Sequence, residues 1–142
     1  MKALDIGAVS RLAITSRRAG DRHAWRVACD GGALAPVEPA ALAGGTTVEV
    51  EELYFNTPAR RKFLKSETTE FARCEEAFSR VALSRPAVAF SLTHNGRRVA
   101  HLAPASPRER TAGVVGADFA DSAVEVEASG ASVRISGLVA AP

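Results

Sequence analysis

Gly44-Gly45-Thr46-Thr47-Val48-Glu49-Val50-Glu51, followed from Leu53 by Leu53-Tyr54-Phe55-Asn56-Thr57-Pro58-Ala59-Arg60-Arg61-Lys62-Phe63-Leu64-Lys65, is the stretch on which the reading of this 142-residue chain depends. Its first half has a period of two: Val48 and Val50 alternate with Thr47, Glu49 and Glu51, as in a half-buried strand. The glycine pair opens that strand. Glycine permits a tight turn, and it also lets a backbone approach a ligand closely while the threonine hydroxyls add short polar groups. Both readings fit the residues. The character changes at Leu53. Pro58 suits the first position of a helix and Thr57 its N-cap, so a short helix is expected through about Lys65. Arg60, Arg61 and Lys62 spread around such a helix, whereas Arg61 and Lys65 share a face. A solvated surface is the plain reading of these cations, and phosphate contact is the sharper one.

Upstream, residues 3–9 suit one helical turn or the end of a longer helix. Leu12 and Ile14 then alternate with Arg11, Ala13 and Thr15. Ala19-Gly20-Asp21 has turn chemistry, and Trp25, Val27 and Cys29 share one face of a second strand. Pro36 and Pro39 make residues 33–43 an irregular or edge segment. The front of the chain therefore reads as an antiparallel meander. Downstream, Ser66 caps a longer helix that ends at Arg85-Pro86, with Phe71, Cys74, Phe78 and Val81 as its apolar stripe and Glu76–Arg80 as an i,i+4 pair. Asn95-Gly96 marks a hairpin that sets Leu92 opposite Val99 and Phe90 opposite His101. Pro104 to Pro107 reads as a linker, followed by a short helix near residues 108–115. A last hairpin turns at Ser129-Gly130, with Val124 and Val126 facing Val133 and Ile135.

The composition is 46% hydrophobic and 24% charged, close to the globular average, which excludes a disordered tail, a collagen-like fibre and a disulfide miniprotein. Eighteen basic against sixteen acidic residues leave a formal charge of +2, too weak to imply nucleic-acid binding. Cys29 and Cys74 lie far apart without CxxC spacing, which favours a reduced, intracellular chain. No apolar run is long enough for a membrane span, and no signal-peptide core opens the chain. His23, His94 and His101 lack metal-ligand spacing, and no Walker loop, GxSxG elbow or GxGxxG fingerprint occurs. The residues thus give no catalytic and no metal-binding candidate.

Taken together, the run from Gly45-Thr46-Thr47-Val48-Glu49-Val50 to Asn56-Thr57-Pro58-Ala59-Arg60-Arg61-Lys62-Phe63-Leu64 closely resembles the signature of MutL-type DNA mismatch repair proteins, a family of the GHKL ATPase superfamily. Val9-Ser10-Arg11-Leu12 and Ser91-Leu92-Thr93-His94-Asn95-Gly96 add to the likeness. The resemblance implies an α/β fold, an α+β sandwich. Residues 1–103 would be the C-terminal half of a GHKL-type ATPase domain with a mixed or antiparallel sheet. Residues 104–142 would be the start, truncated, of a ribosomal S5 domain 2-like transducer domain. It implies ATP and Mg²⁺ as cofactors of the full-length family, with Gly45, Thr46 and, less directly, Thr47 at the nucleotide, where the threonine holds adenine through a water. It implies DNA and a MutS-like mismatch sensor as partners, a homodimer formed through the ATPase domain, and a cytoplasmic, nucleoid-associated location. Arg60, Arg61, Lys62 and Lys65 become candidates for DNA or interdomain contact.

The departures shape the expected activity. The family's catalytic Glu and Mg²⁺-binding Asn, its DxGxG motif and its GFRGEAL lid have no counterpart in these residues; Met1-Lys2-Ala3-Leu4 resembles only the end of the lid. The transducer lysine that reaches the γ-phosphate would lie beyond Pro142. Phosphoryl transfer then loses its main electrostatic support, so the chain alone is expected to be inactive and to hold neither ATP nor Mg²⁺ tightly. Missing front helices would also leave apolar surface open and favour aggregation. Alternatives are a non-enzymatic nucleic-acid or protein-binding module built on the two hairpins, and another GHKL ATPase such as a type II topoisomerase subunit. The Asn-Thr-Pro-Ala-Arg run argues against the latter. The Leu53–Leu64 segment also has a structural reading, with Phe55, Phe63 and Leu64 packed into a core.

Overall fold

The structure is a computed structural model that describes residues 3–140, so Met1 and Lys2 of the lid-like start lie outside the described residues. The chain forms two compact units, Met1–Lys65 and Ser66–Pro142.

The first unit is an antiparallel sheet. A short helix α1 (Ala3–Gly7) leads into β1 (Arg11–Arg17) and β2 (Ala24–Asp30), which pair in a hairpin with Leu12 opposite Cys29, Ile14 opposite Val27 and Ser16 opposite Trp25. Two short strands, β3 (Ala33–Leu34) and β4 (Glu38–Ala40), both pair with β2, and Pro39 sits in the second, as the edge assignment requires. The last strand, β5 (Gly45–Glu51), does not continue the meander. It returns to pair with β1, giving the order β3-β2-β1-β5. The reason is local: β3 and β4 occupy the free edge of β2, while the Arg17 guanidinium donates to the Leu42 carbonyl at 3.1 Å and holds the returning loop beside β1. Alternation then sorts the side chains. Leu12, Ile14, Val27, Cys29, Val48 and Val50 share one face with Trp25, Ser16 and Thr46; Arg11, Ala13, Thr15, Thr47, Glu49 and Glu51 lie on the other. At one end of the apolar face Leu12 and Cys29 are buried, and Gly7 packs so closely that a Cβ there would come within 3.0 Å of Cys29 Sγ. Further along the face Val48 stays 57% exposed.

Beyond β5 the chain makes a strained turn, with Glu52 at φ 49° and Tyr54 at φ 64°. Helix α2 (Pro58–Arg61) follows with Pro58 in its first turn and Thr57 as N-cap, but Thr57 makes no side-chain capping bond. The helix is a single turn that stops short of Lys65, so the expected Arg61–Lys65 helical pair is not formed.

The second unit begins with α3 (Glu67–Ser84), whose N-cap Ser66 accepts from the Thr69 amide at 3.3 Å and whose first turn carries Glu67 and Glu70. Glu76 and Arg80 pair as expected. The inward stripe differs by one position: Cys74 and Val81 are exposed, whereas Phe71, Phe78 and buried Ala82 face inward. Strands β6 (Phe90–His94) and β7 (Arg97–Leu102) turn at Asn95-Gly96, both with positive φ, as a type I′ turn demands. A bulge between Leu92 and Thr93 corrects the expected register, placing Leu92 opposite Ala100 and Phe90 opposite Leu102. The shift turns Ala100 and Leu102 inward and leaves Val99 exposed. Phe78 meets Phe90 edge to face at 6.1 Å, an arrangement that adds about 1 kcal/mol beyond burial.

Two helices follow where one was expected, α4 (Pro107–Val115) and α5 (Ala117–Ser122), separated by Gly116. The final pair, β8 (Val124–Ser129) and β9 (Arg134–Val139), has a longer loop than Ser129-Gly130 alone: Ser129 faces Arg134, Ala128 faces Ile135 and Val124 faces Val139. The Gly130 amide donates to the Val133 carbonyl at 2.8 Å and closes that loop.

Candidate functional site

Gly45 opens β5 at φ 84°, a conformation that only glycine takes without strain. Next to it, Thr46 stands opposite Ser16 of β1, and their hydroxyl oxygens are 2.8 Å apart. Ser16 Oγ also lies 3.4 Å from the Gly45 carbonyl oxygen. On the far side of Ser16 is Trp25, 47% exposed, with His23 edge-on to its ring at 4.6 Å. Trp25, Ser16 and Thr46 therefore form one cross-strand row at the open end of the apolar face. Behind them come Val27–Ile14–Val48 and then Cys29–Leu12–Val50. Thr47 does not join this group: strand alternation turns it to the opposite face, opposite Thr15.

The loop before Gly45 is fixed by Arg17. Its Nε and Nη2 donate to the Asp21 carbonyl at 3.1 and 3.0 Å, and its Nη1 donates to Leu42. A shallow basic depression lined by Arg17, Arg22 and His23 adjoins residues 40–43. Among the described residues no cluster of His, Cys, Asp or Glu could hold a metal ion. Nor is any helix there long and apolar enough to cross a membrane.

The segment after β5 divides into two parts. Its first half is tied to the chain around Ala8 and Val9. The Tyr54 amide donates to the Val9 carbonyl at 2.6 Å, the Asn56 side-chain amide donates to the Ala8 carbonyl at 2.9 Å, and Phe55 lies 5.4 Å under the Arg11 guanidinium. Arg11 in turn pairs with Asp30 at 3.5 Å and Glu52 at 3.1 Å. Its second half is open. Arg60, Arg61, Lys62 and Lys65 are exposed, Phe63 is 77% exposed, and Leu64 is exposed as well. Of the three side chains expected in a core, only Phe55 is partly covered.

Sequence reasoning missed Ser16, Trp25 and Asn56 as parts of this arrangement. Ser16 meets Thr46 only because β5 crosses back to β1, which no period-two pattern reveals. Asn56 reaches a carbonyl 48 residues earlier in the chain, a separation that carries no local signal.

No family model matches the chain. It is similar to the DNA mismatch repair protein MutL of Thiobacillus denitrificans, 48% identical over 137 residues that make up 96% of this chain and 23% of that protein. MutL of Neisseria gonorrhoeae is 45% identical over 96% of this chain and 21% of its own length. The chain thus spans about a fifth of the length of the curated relatives it matches. Among solved structures it is similar to the Aquifex aeolicus MutL ATPase domain complexed with ADP, with a TM-score of 0.77, 32% identity, and coverage of 87% of this chain and 50% of that one. A second structure, the ATPase domain from the bacterial mismatch repair endonuclease Aquifex aeolicus MutL, gives a TM-score of 0.73 at 29% identity, covering 95% of this chain and 51% of its own.

Proposed function

The chain belongs to the MutL family of DNA mismatch repair proteins, and from that premise we propose that it supplies the base-facing edge of an ATP pocket to a repair ATPase. The observation that carries this reading is the placement of Thr46: its hydroxyl stands at the solvent-open end of an apolar sheet face, beside a glycine whose conformation keeps the backbone bare. Gly45 and Thr46 act together there. Thr47, on the opposite face, supports the strand and does not meet the base. That the similar Aquifex domain is complexed with ADP supports a nucleotide as the ligand.

No step of hydrolysis is assigned to these residues. In the whole protein, ATP supplies the binding energy that couples the ATPase domain to dimerisation and to a MutS-like sensor on DNA. This chain's part is to hold the base. We assign residues 1–103 to the ATPase domain and residues 104–142 to the start of the S5 domain 2-like transducer. Arg60, Arg61, Lys62 and Lys65 form an exposed basic segment suited to phosphate or to a neighbouring domain. The cytoplasm, on the nucleoid, is the location this reading implies.

Titration of the isotopically labelled chain with ADP tests the proposal. Amide shifts centred on Gly45 and Thr46, abolished by Thr46→Val, are expected, with no Mg²⁺-dependent ATP turnover above background. Shifts elsewhere, or binding unaffected by Thr46→Val, would overturn it.

A further inference from the structure

Arg17 lies one residue beyond Ser16 on β1, so strand alternation turns it to the sheet face opposite Thr46 and Trp25. Ala24 and Ala40, paired across β2 and β4, share that face with it. With Ala41, Leu42 and Ala43 they make the apolar floor of the depression beside the β1–β2 turn, which has a volume of about 560 Å³. Its polar side is Arg17, Arg22 and His23, and no carboxylate lines it. The other two arginines of the sheet are neutralised, Arg11 by Asp30 and Glu52 and Arg26 by Glu38. Neither Arg17 nor Arg22 makes an ion pair among the described residues. Arg17 is also held in place. Its Nε and Nη2 donate to the Asp21 carbonyl and its Nη1 to the Leu42 carbonyl, which uses three of five N–H groups and leaves one free on each Nη. A guanidinium fixed in this way meets a ligand without losing further side-chain freedom.

We propose that this depression is a phosphate-binding site, on the opposite sheet face from the base site and independent of it. A carboxylate has one charge and two oxygens, which a single guanidinium satisfies. Donors from Arg17, Arg22 and His23 around one cavity match a group with more charge and more oxygens. A phosphate, with up to two charges and three strongly accepting oxygens, is such a group. The alanine and leucine floor carries no side-chain acceptor to compete for those donors. The phosphate belongs either to a small free ligand or to a nucleic-acid backbone, and the two sources separate in the test.

The isotopically labelled chain is titrated with pyrophosphate, and separately with a short DNA duplex, at constant ionic strength. Saturable amide shifts at Arg22, His23 and residues 41–43 are expected, and Trp25, the single tryptophan, with His23 edge-on to its ring, gives a fluorescence readout. Arg22→Ala should weaken binding at these amides about fivefold, the upper end for a charge pair still open to water. The unfolding midpoint should stay near wild type, because the residue is exposed. Arg22→Lys should recover part of the loss, and Thr46→Val should change nothing here. Shifts with pyrophosphate alone make the ligand a small free phosphate; shifts with the duplex alone, or displaced from it by pyrophosphate, make it a nucleic-acid backbone. If neither probe moves these amides, if chloride moves them equally, or if Arg22→Ala binds as wild type does, the site is overturned. Pyrophosphate carries no base, so that failure leaves the reading of Thr46 standing.

Discussion

Arg110 lies on α4 with only 2% of its surface exposed, and its Nη2 donates to the carbonyls of Pro86, Val88 and Ala103 at 2.9, 2.8 and 2.8 Å. Its guanidinium also stands 5.5 Å over the Phe90 ring. Three carbonyls thus share one charged group. Removing it takes this donor from all three, with only Pro86 keeping a second one, the Ala105 amide at 3.0 Å, which costs more than deleting a surface ion pair. Arg110→Met should therefore destabilise the second unit by about 3 kcal/mol. Urea unfolding followed by circular dichroism would read this; a loss below about 1 kcal/mol would show that water replaces the guanidinium. Arg110 carries no sequence signal, because its three partners lie on loops 7 to 24 residues away. Thr46 was legible from its motif, whereas its partner Ser16 was not.

At the scale of single elements, capping chemistry explains why α4 begins where it does. Ser106 accepts from the Glu109 amide at 3.3 Å while the Glu109 carboxylate accepts from the Ser106 amide at 2.9 Å, and Pro107 fills the first turn. The Ser106 amide first, and its hydroxyl second, hold the Glu109 carboxyl below its ordinary value of 4.5. A depressed carboxyl stabilises the fold above its unfolded pKa, and that contribution is lost as the pH falls through the folded value. Ser106→Ala should cost about 1 kcal/mol at neutral pH. Glu109→Gln should differ from wild type at neutral pH and converge with it well below pH 4.5, in paired thermal melts at the two pH values. Divergence that grows on acidification would contradict the cap assignment. This capping box is readable from Ser106-Pro107-Arg108-Glu109, yet Pro104 and Pro107 together suggest a break, so the stretch reads as a linker. The β6–β7 bulge is the opposite case. Asn95-Gly96 fixes the turn, but only the need to bury Leu102 against Phe90 decides the extra residue.

At the scale of the molecule, the first unit leaves Val48 and Val50 exposed along the seven-residue edge strand β5, with Trp25 of β2 exposed on the same face and Phe63 exposed as well. Open edges and contiguous apolar surface are the usual route to association. The average mass from sedimentation should rise with concentration, and Val48→Lys on that strand should flatten the dependence at unchanged secondary structure. A monomer at all concentrations with one cooperative transition would contradict this. The compact units divide at Lys65–Ser66, ahead of the boundary proposed from the family at residues 103 and 104, because Arg110 and α3 draw the later helices into the second unit.

What the amino-acid sequence by itself determined is local or carried by a motif. Alternation identified β1, β2 and β5; capping residues located the starts of α2 and α3; and the Gly45-Thr46 to Lys62-Phe63-Leu64 run identified the family. Each of these depends on residues within about one turn or one strand of each other, where steric and hydrogen-bonding preferences act directly. Tertiary structure alone decided that β5 pairs with β1, that Thr46 and Thr47 face opposite ways in a row shared with Ser16 and Trp25, and that Asn56 and Arg110 hold distant carbonyls. Those choices depend on which strand edge is already occupied and which buried carbonyl still lacks a donor, and both are settled only when the whole chain packs.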